Sequence, residues 1–149
     1  MKLNILLGLV LSVVVHSAGA VAADSANKLI IVGDQSKAAD SFYSLDFQSD
    51  GNATALELRL QVAGGKRVKV DTRSCAKSLP KSHTGSCVFN GKELVVLVYS
   101  ERNALLPVGL LDLGTVRISG VTNKKAIAVS SFIAGSPSGQ AVSSSTSVE

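Results

Sequence analysis

The chain has 149 residues, of which 46% are hydrophobic, 17% charged and 4% aromatic, with no Trp and a formal net charge of +4. This is one domain's length of chain, and so mild a positive balance argues for solubility and against nucleic-acid binding. Lys2 opens a targeting pattern: an apolar run from Ile5 to Val15, then small residues from Ser17 to Ala23. The run is too short for a membrane span of about 20 residues, which argues against an uncleaved anchor helix. Ala20-Val21-Ala22 and Val21-Ala22-Ala23 both fit a signal-peptidase site, so residues 1–23 read as a signal peptide cleaved beside Ala23 or Asp24. The absence of Cys in that region argues against lipid anchoring. The remaining 126 residues hold 14 basic and 11 acidic side chains and no second run of membrane length. The expectation is an exported protein, secreted or periplasmic, with no membrane span after signal cleavage.

Asp24 to Asn27 reads as a polar leader, and Lys28 to Val32 as a short strand ended by Gly33-Asp34. Asp34 to Asp40 reads as a polar link. Ser41 to Phe47 places Tyr43, Leu45 and Phe47 on one face of a second strand. After the Ser49-Asp50-Gly51-Asn52 turn cluster, Leu56, Leu58, Leu60 and Val62 alternate with Glu57, Arg59 and Gln61. Side chains of a strand change face at every residue, so this is a half-buried strand with one oily row and one wet row. Two such strands around a Gly-containing loop predict a hairpin.

Past Gly64-Gly65, Arg67 to Asp71 alternates with Val68 and Val70 inward, and Thr72 to Ser86 reads as a long polar connection. Cys75 and Cys87 lie at its two ends. In an oxidising compartment an even pair bridges, and the loop is short enough that the bond contributes about 3 kcal/mol or less. A redox-active pair is the alternative, but the spacing is not Cys-x-x-Cys. Asn90-Gly91 is a strong signal for a two-residue hairpin turn. Glu93 to Ser100 has apolar residues on both faces and reads as a central strand covered on both sides. Leu110 to Ser119 is a further strand, with a change of face near Gly114 that suggests a bulge. Ala126 to Ala134 is the last strand, and Ser143 to Glu149 reads as a disordered tail. Short strands, turns and no helical period predict an all-β, two-sheet antiparallel sandwich of about 8–9 strands over residues 24–142.

Three pieces of this order resemble the cohesin-type domains of bacterial extracellular scaffold proteins, which belong to a superfamily of sandwiches similar to carbohydrate-binding modules. They are Ser49-Asp50-Gly51 leading into Ala55 to Leu60, the loop and strand from Leu106 to Val116, and Ile127 to Val142 with Gly139-Gln140-Ala141-Val142. The resemblance implies a jelly-roll sandwich and a non-enzymatic module that binds a protein partner, with polysaccharide binding, as in related sandwiches, the alternative. The Cys75–Cys87 loop departs from the usual pattern, and no family binding residue maps onto a specific position here.

Four constellations bear on function. Asp46, Asp50-Gly51 and Glu57 approach the spacing of a calcium loop, but both flanks alternate as strands, whereas such loops sit between helices, so turn chemistry explains Asp50-Gly51. Lys66, Arg67, Lys69, Arg73, Lys77, Lys81 and Lys92 form a basic stretch relieved only by Asp71. It is either a surface for an acidic ligand or the lysine-rich edge that keeps sheets from pairing with one another. Phe42 and Phe89 are the candidates for an exposed sugar-stacking platform, whereas Tyr43, Phe47 and Phe132 fall in apolar rows and read as core. His83 is the one histidine left after processing and reads as a surface loop residue, because no nucleophile or carboxylate is patterned with it. The chain therefore reads as no enzyme and needs no cofactor. Asn52-Ala53-Thr54 matches a glycosylation sequon, inert in a bacterial-type exporter.

Overall fold

A computed structural model describes residues 27–37, 40–64, 67–121 and 126–149. The expected signal peptide, the leader before Asn27 and Lys66 lie outside the described residues. Among the described residues ten strands follow one another: β1 (Asn27–Lys37), β2 (Asp40–Ser49), β3 (Ala55–Val62), β4 (Lys69–Cys75), β5 (Thr84–Phe89), β6 (Glu93–Tyr99), β7 (Gly109–Ser119), β8 (Ile127–Gly135), β9 (Ala141–Val142) and β10 (Ser144–Val148). They form two five-stranded sheets, ordered β10-β1-β2-β7-β4 and β5-β6-β3-β8-β9. All pairings are antiparallel except β1 with β10. Among the described residues there is no α-helix. The all-β sandwich expected from the alternation is the fold.

The alternating rows meet between the sheets. Tyr43, Leu45 and Phe47 of β2 and Leu29 and Ile31 of β1 face Leu56, Leu58 and Leu60 of β3 and Leu94, Val96 and Val98 of β6, all buried. Phe47 and Phe132 cross the gap edge to face, with ring centroids 5.9 Å apart and planes at 61°. Both rings belong to the core, as their apolar rows predicted. In β7 the inward row shifts at Gly114: Leu113 is buried before it, and Val116 and Ile118 after it. The pairing register with β2 slips there, as expected of a bulge, while the slip between β7 and β4 lies at Asp71 to Ser74, opposite Thr115 to Arg117.

Cys75 and Cys87 are bonded, with their Cα atoms 6.2 Å apart. Cys75 ends β4 at the edge of one sheet, and Cys87 lies in β5 at the edge of the other. The bond therefore closes one open side of the sandwich, where two edge strands would otherwise be held only by side-chain packing.

Four local expectations are corrected. The β2–β3 connection is not a hairpin. β2 pairs with β1 and β7, and β3 pairs with β6 and β8, so the turn at Asp50–Asn52 carries the chain from one sheet to the other. Sheet-to-sheet burial of both leucine- and aromatic-bearing rows is gained only by this crossing. The polar link expected over 34–40 is mostly strand, because β1 runs to Lys37 and hairpins directly into β2. The connection expected over 72–86 is shorter, since Thr72 to Cys75 belong to β4 and Thr84 to Ser86 to β5.

The end of the chain, expected as a disordered tail over 143–149, is strand instead. Residues 144–148 form β10, parallel to β1 with Asn27 opposite Ser144 and Ile31 opposite Val148. The Glu149 amide donates to the Ile31 carbonyl at 2.8 Å, and the Gly33 amide to the Glu149 carbonyl at 2.9 Å. The buried Asn27 side chain donates to the Ser143 carbonyl at 3.2 Å and accepts from the Asp50 amide at 3.1 Å. Residues of such polar composition join the sheet through backbone hydrogen bonds, which cover an edge of β1 that would otherwise present unpaired groups.

Candidate functional site

The β5-β6-β3-β8 sheet has one face on the core and one in solvent. Register lays out the outer face in rows: Thr84, Tyr99, Ala55 and Gly135; then Ser86, Leu97, Glu57 and Ile133; then Val88, Val95, Arg59 and Ser131. Four large apolar residues of these rows are well exposed: Tyr99 at 44%, Leu97 at 39%, Ile133 at 47% and Val88 at 58%. A shallow hollow of about 260 Å3 lies among Leu97, Tyr99, Glu57 and Ile133. Solitary surface hydrophobics are ordinary, but a group of them on one rigid sheet face marks an interaction surface.

Beside this patch runs a charged row. Arg59 Nε donates to Glu57 Oε1 at 2.6 Å, and its Nη1 to Glu93 Oε2 at 3.3 Å. Ser130, in the β8 irregularity opposite Arg59 and Leu60, donates to Glu93 Oε1 at 2.9 Å or to the Arg59 carbonyl at 3.0 Å. The two carboxylates hold the guanidinium between them and push its pKa up, with the Glu57 hydrogen bond the largest cause. An aliphatic patch edged by a fixed ion network can bind apolar surface and discriminate by charge at once.

Sequence reasoning missed this face. The pattern of Glu93 to Ser100 predicts Val95, Leu97 and Tyr99 as the second buried row of a strand covered on both sides. The strand is interior in its sheet, but among the described residues no second layer covers its outer row, so Leu97 and Tyr99 meet solvent and Val95 is half-buried. The signal was present as apolar residues on both rows of Glu93 to Tyr99, one row more than a half-buried strand requires.

Of the sequence-derived candidates Glu57 lies on this face, the others fall elsewhere, and together they do not form one site. Phe42 lies on the outer face of the other sheet, with the Arg117 guanidinium 5.8 Å above its ring. Arg117 also pairs with Asp40. Phe89 is on the inner side of β5 and packs against the core, which corrects its reading as exposed. The two rings therefore cannot form one stacking platform. Asp46, Asp50 and Glu57 do not converge either. Asp46 accepts from Ser44 on the first sheet, Asp50 closes the turn through the Asn52 amide and side chain, and Glu57 pairs with Arg59 on the second sheet. Among the described residues no group of three or more His, Cys, Asp or Glu side chains is placed to hold a metal ion.

Arg67, Lys69, Arg73, Lys77 and Lys81 are exposed along β4 and the β4–β5 connection, beside the disulfide. Arg73 is tied to Asp71 through Nη2 at 2.6 Å, and this contact holds the Asp71 carboxyl at about 2. Lys92 sits apart, in the β5–β6 hairpin. There Asn90 Oδ1 accepts from the Lys92 and Glu93 amides, so Gly91-Lys92 is the two-residue loop.

His83 is buried rather than on the surface, with 8% exposure. Nδ1 lies 2.9 Å from Ser82 Oγ, and Nε2 is shielded from solvent. Desolvation is the main influence and pushes its pKa down, with the Ala104 and Thr54 backbone opposing part of the shift. The folded chain then takes up this proton less readily than the unfolded chain, so protons favour unfolding. The thermal midpoint is expected to fall as pH drops through the ordinary imidazole value of 6.5. A His83→Gln chain should show a flatter profile over the same range. An equal slope in both, followed by circular dichroism, would assign the effect to other groups.

No protein-family model matches the chain, and no curated protein matches it. Solved structures do. A non-cellulosomal cohesin from the archaeon Archaeoglobus fulgidus is 13% identical with a TM-score of 0.59, over 83% of this chain and 87% of that one. The type II cohesin A11 from Bacteroides cellulosolvens is 8% identical with a TM-score of 0.59, over 80% and 95%. The sixth cohesin of scaffoldin B from Acetivibrio cellulolyticus, solved in complex with a dockerin, is 9% identical with a TM-score of 0.56, over 84% and 99%. At such identities the likeness is one of fold. Two sheets over four fifths of the chain share the β-sandwich fold of these cohesins.

Proposed function

We propose that this chain is a non-catalytic binding module that docks a protein partner on the outer face of the β5-β6-β3-β8 sheet, in an extracellular or periplasmic assembly. One observation carries the reading: Val88, Leu97, Tyr99 and Ile133 stand exposed together on a rigid sheet beside the Glu57–Arg59–Glu93 network. Aromatic and aliphatic anchors on a preorganised surface lose little conformational entropy on binding, and this favours a macromolecular partner over a small ligand. The scaffoldin B cohesin, of the same fold, was solved with a dockerin bound, which supports a protein as the partner class. The targeting pattern before Asp24 and the Cys75–Cys87 bond support an oxidising setting outside the cytoplasm. His83 faces Ser82 and backbone rather than a carboxylate, which supports a role in packing rather than in general-base chemistry.

The test compares the mature chain with Leu97→Glu and Ile133→Glu in capture from the exported fraction of the source cells. Both side chains are exposed, so both variants should fold. A partner held by the native chain should bind each variant at least about tenfold more weakly, since a buried unpaired charge costs more than 1.4 kcal/mol. Equal retention by all three chains, or no reproducible partner, would remove the sheet face as a docking surface.

A further inference from the structure

A hollow of about 400 Å3 opens where the β4–β5 connection meets the β6–β7 loop. Lys81 and Ser82 come from the connection, Thr84 from the start of β5, and Glu101, Arg102 and Ala104 from the β6–β7 loop. The volume falls within the roughly 300–1,000 Å3 typical of small-ligand sites. Among the described ion pairs, none uses Lys81, Glu101 or Arg102. Charges of both signs thus line one concave surface with no direct ion pair among them. Ser82 is positioned from behind by the buried His83 ring, whose Nδ1 lies 2.9 Å from its hydroxyl oxygen.

The donor set narrows the ligand. A simple anion matches Lys81 and Arg102 but is repelled by Glu101. A neutral polyol matches Glu101 and the two hydroxyls but leaves two cations unused. A sugar acid satisfies all of them, since its carboxylate takes the cations and its hydroxyls donate to Glu101 and exchange hydrogen bonds with Ser82 and Thr84. We propose that this hollow binds a uronic acid unit of an acidic polysaccharide, with the carboxylate between Lys81 and Arg102. Lys77 lies in the same connection, and Lys69 and Arg67 continue the positive strip along the β4 side, so further acidic units of one polymer meet favourable potential. The hollow borders the apolar sheet face where Thr84 pairs with Tyr99, yet Lys81 and Arg102 lie off that patch, so this site stands or falls separately from protein docking.

The test titrates the 15N-labelled mature chain with trigalacturonate, maltotriose and inorganic phosphate, following backbone amides by NMR. Trigalacturonate should cause saturable shifts concentrated at residues 81–84 and 101–104, weakening as salt is raised. Maltotriose and phosphate should cause little change at equal concentration. Lys81→Ala and Arg102→Ala should each weaken trigalacturonate binding about tenfold or more, the loss expected for one charge-assisted hydrogen bond. No saturable shift, undiminished binding by both variants, or phosphate binding as tightly as trigalacturonate would each overturn the assignment. The comparison among the three ligands needs only the native chain, so it remains decisive if a variant folds poorly.

Discussion

Phe47→Ala is expected to lower the unfolding free energy by about 3–5 kcal/mol, a large part of the roughly 5–15 kcal/mol typical of a single domain. Phe47 is fully buried in β2, between the two sheets, and meets Phe132 edge to face from the opposite layer. The substitution removes the ring's transfer free energy and leaves a cavity whose strand walls, locked in hydrogen-bonded ladders, relax little. β2 is paired on both sides, with β1 and β7, so it cannot shift to fill the space without disturbing two neighbours. Urea unfolding with the disulfide intact measures the loss. A change below about 1 kcal/mol would mean that the ring is not packed between the layers.

Gly114→Ala is expected to cost at least about 2 kcal/mol, though it adds a single methyl group to a strand and creates no cavity. Two penalties combine. Gly114 has φ +97°, a conformation worth about 1–3 kcal/mol of strain for a residue with a Cβ. A Cβ there would also stand 2.2 Å from the Ser74 carbonyl oxygen and 2.9 Å from the Ala76 nitrogen, both backbone atoms of the neighbouring strand and turn. Neither can move alone, because Cys75 between them is fixed by its bond to Cys87. The Gly114 amide is held by Asp112 Oδ1 at 2.6 Å, so the bulge is braced from its own strand as well. A Gly114→Ala chain with an unchanged urea midpoint would show that β7 can regularise its register at no cost. The same substitution at Gly139, where a Cβ meets no atom within 4 Å, serves as the control for positive φ alone.

Much of the inner architecture was legible. Every second residue of Tyr43 to Phe47 and Leu56 to Leu60 is buried, as the period of two required. The change of face near Gly114 was legible because an inserted residue shifts the phase of the alternation. Asn90-Gly91 marked its hairpin through side-chain and backbone preferences that act over a few residues, although the loop proper is Gly91-Lys92. The cysteine pairing followed from an even number of thiols and the oxidising compartment that the targeting pattern predicts.

Partnership and exposure were not legible in the same way. The turn at Asp50–Asn52 suits a hairpin and a sheet-to-sheet crossing equally, and only the competition among distant strands decides between them. Residues 144–148 offer no apolar row, so nothing local announces that their backbone completes a sheet. The candidate site shows the same divide. Tyr99 and Leu97 look buried by their chemistry and are exposed because no layer lies over them, while His83 looks exposed by its loop and is buried beneath it.

The sequence by itself determined a two-layered all-β chain, the rows that fill its interior, one bulge and one bond, because alternation, turn preference and thiol chemistry act between near neighbours along the chain. Only the tertiary structure decided which strands lie side by side, which apolar row is left for a partner and which charges gather around one hollow. Those features depend on surface removed from water by residues far apart in sequence, and that quantity exists only once both sheets are assembled.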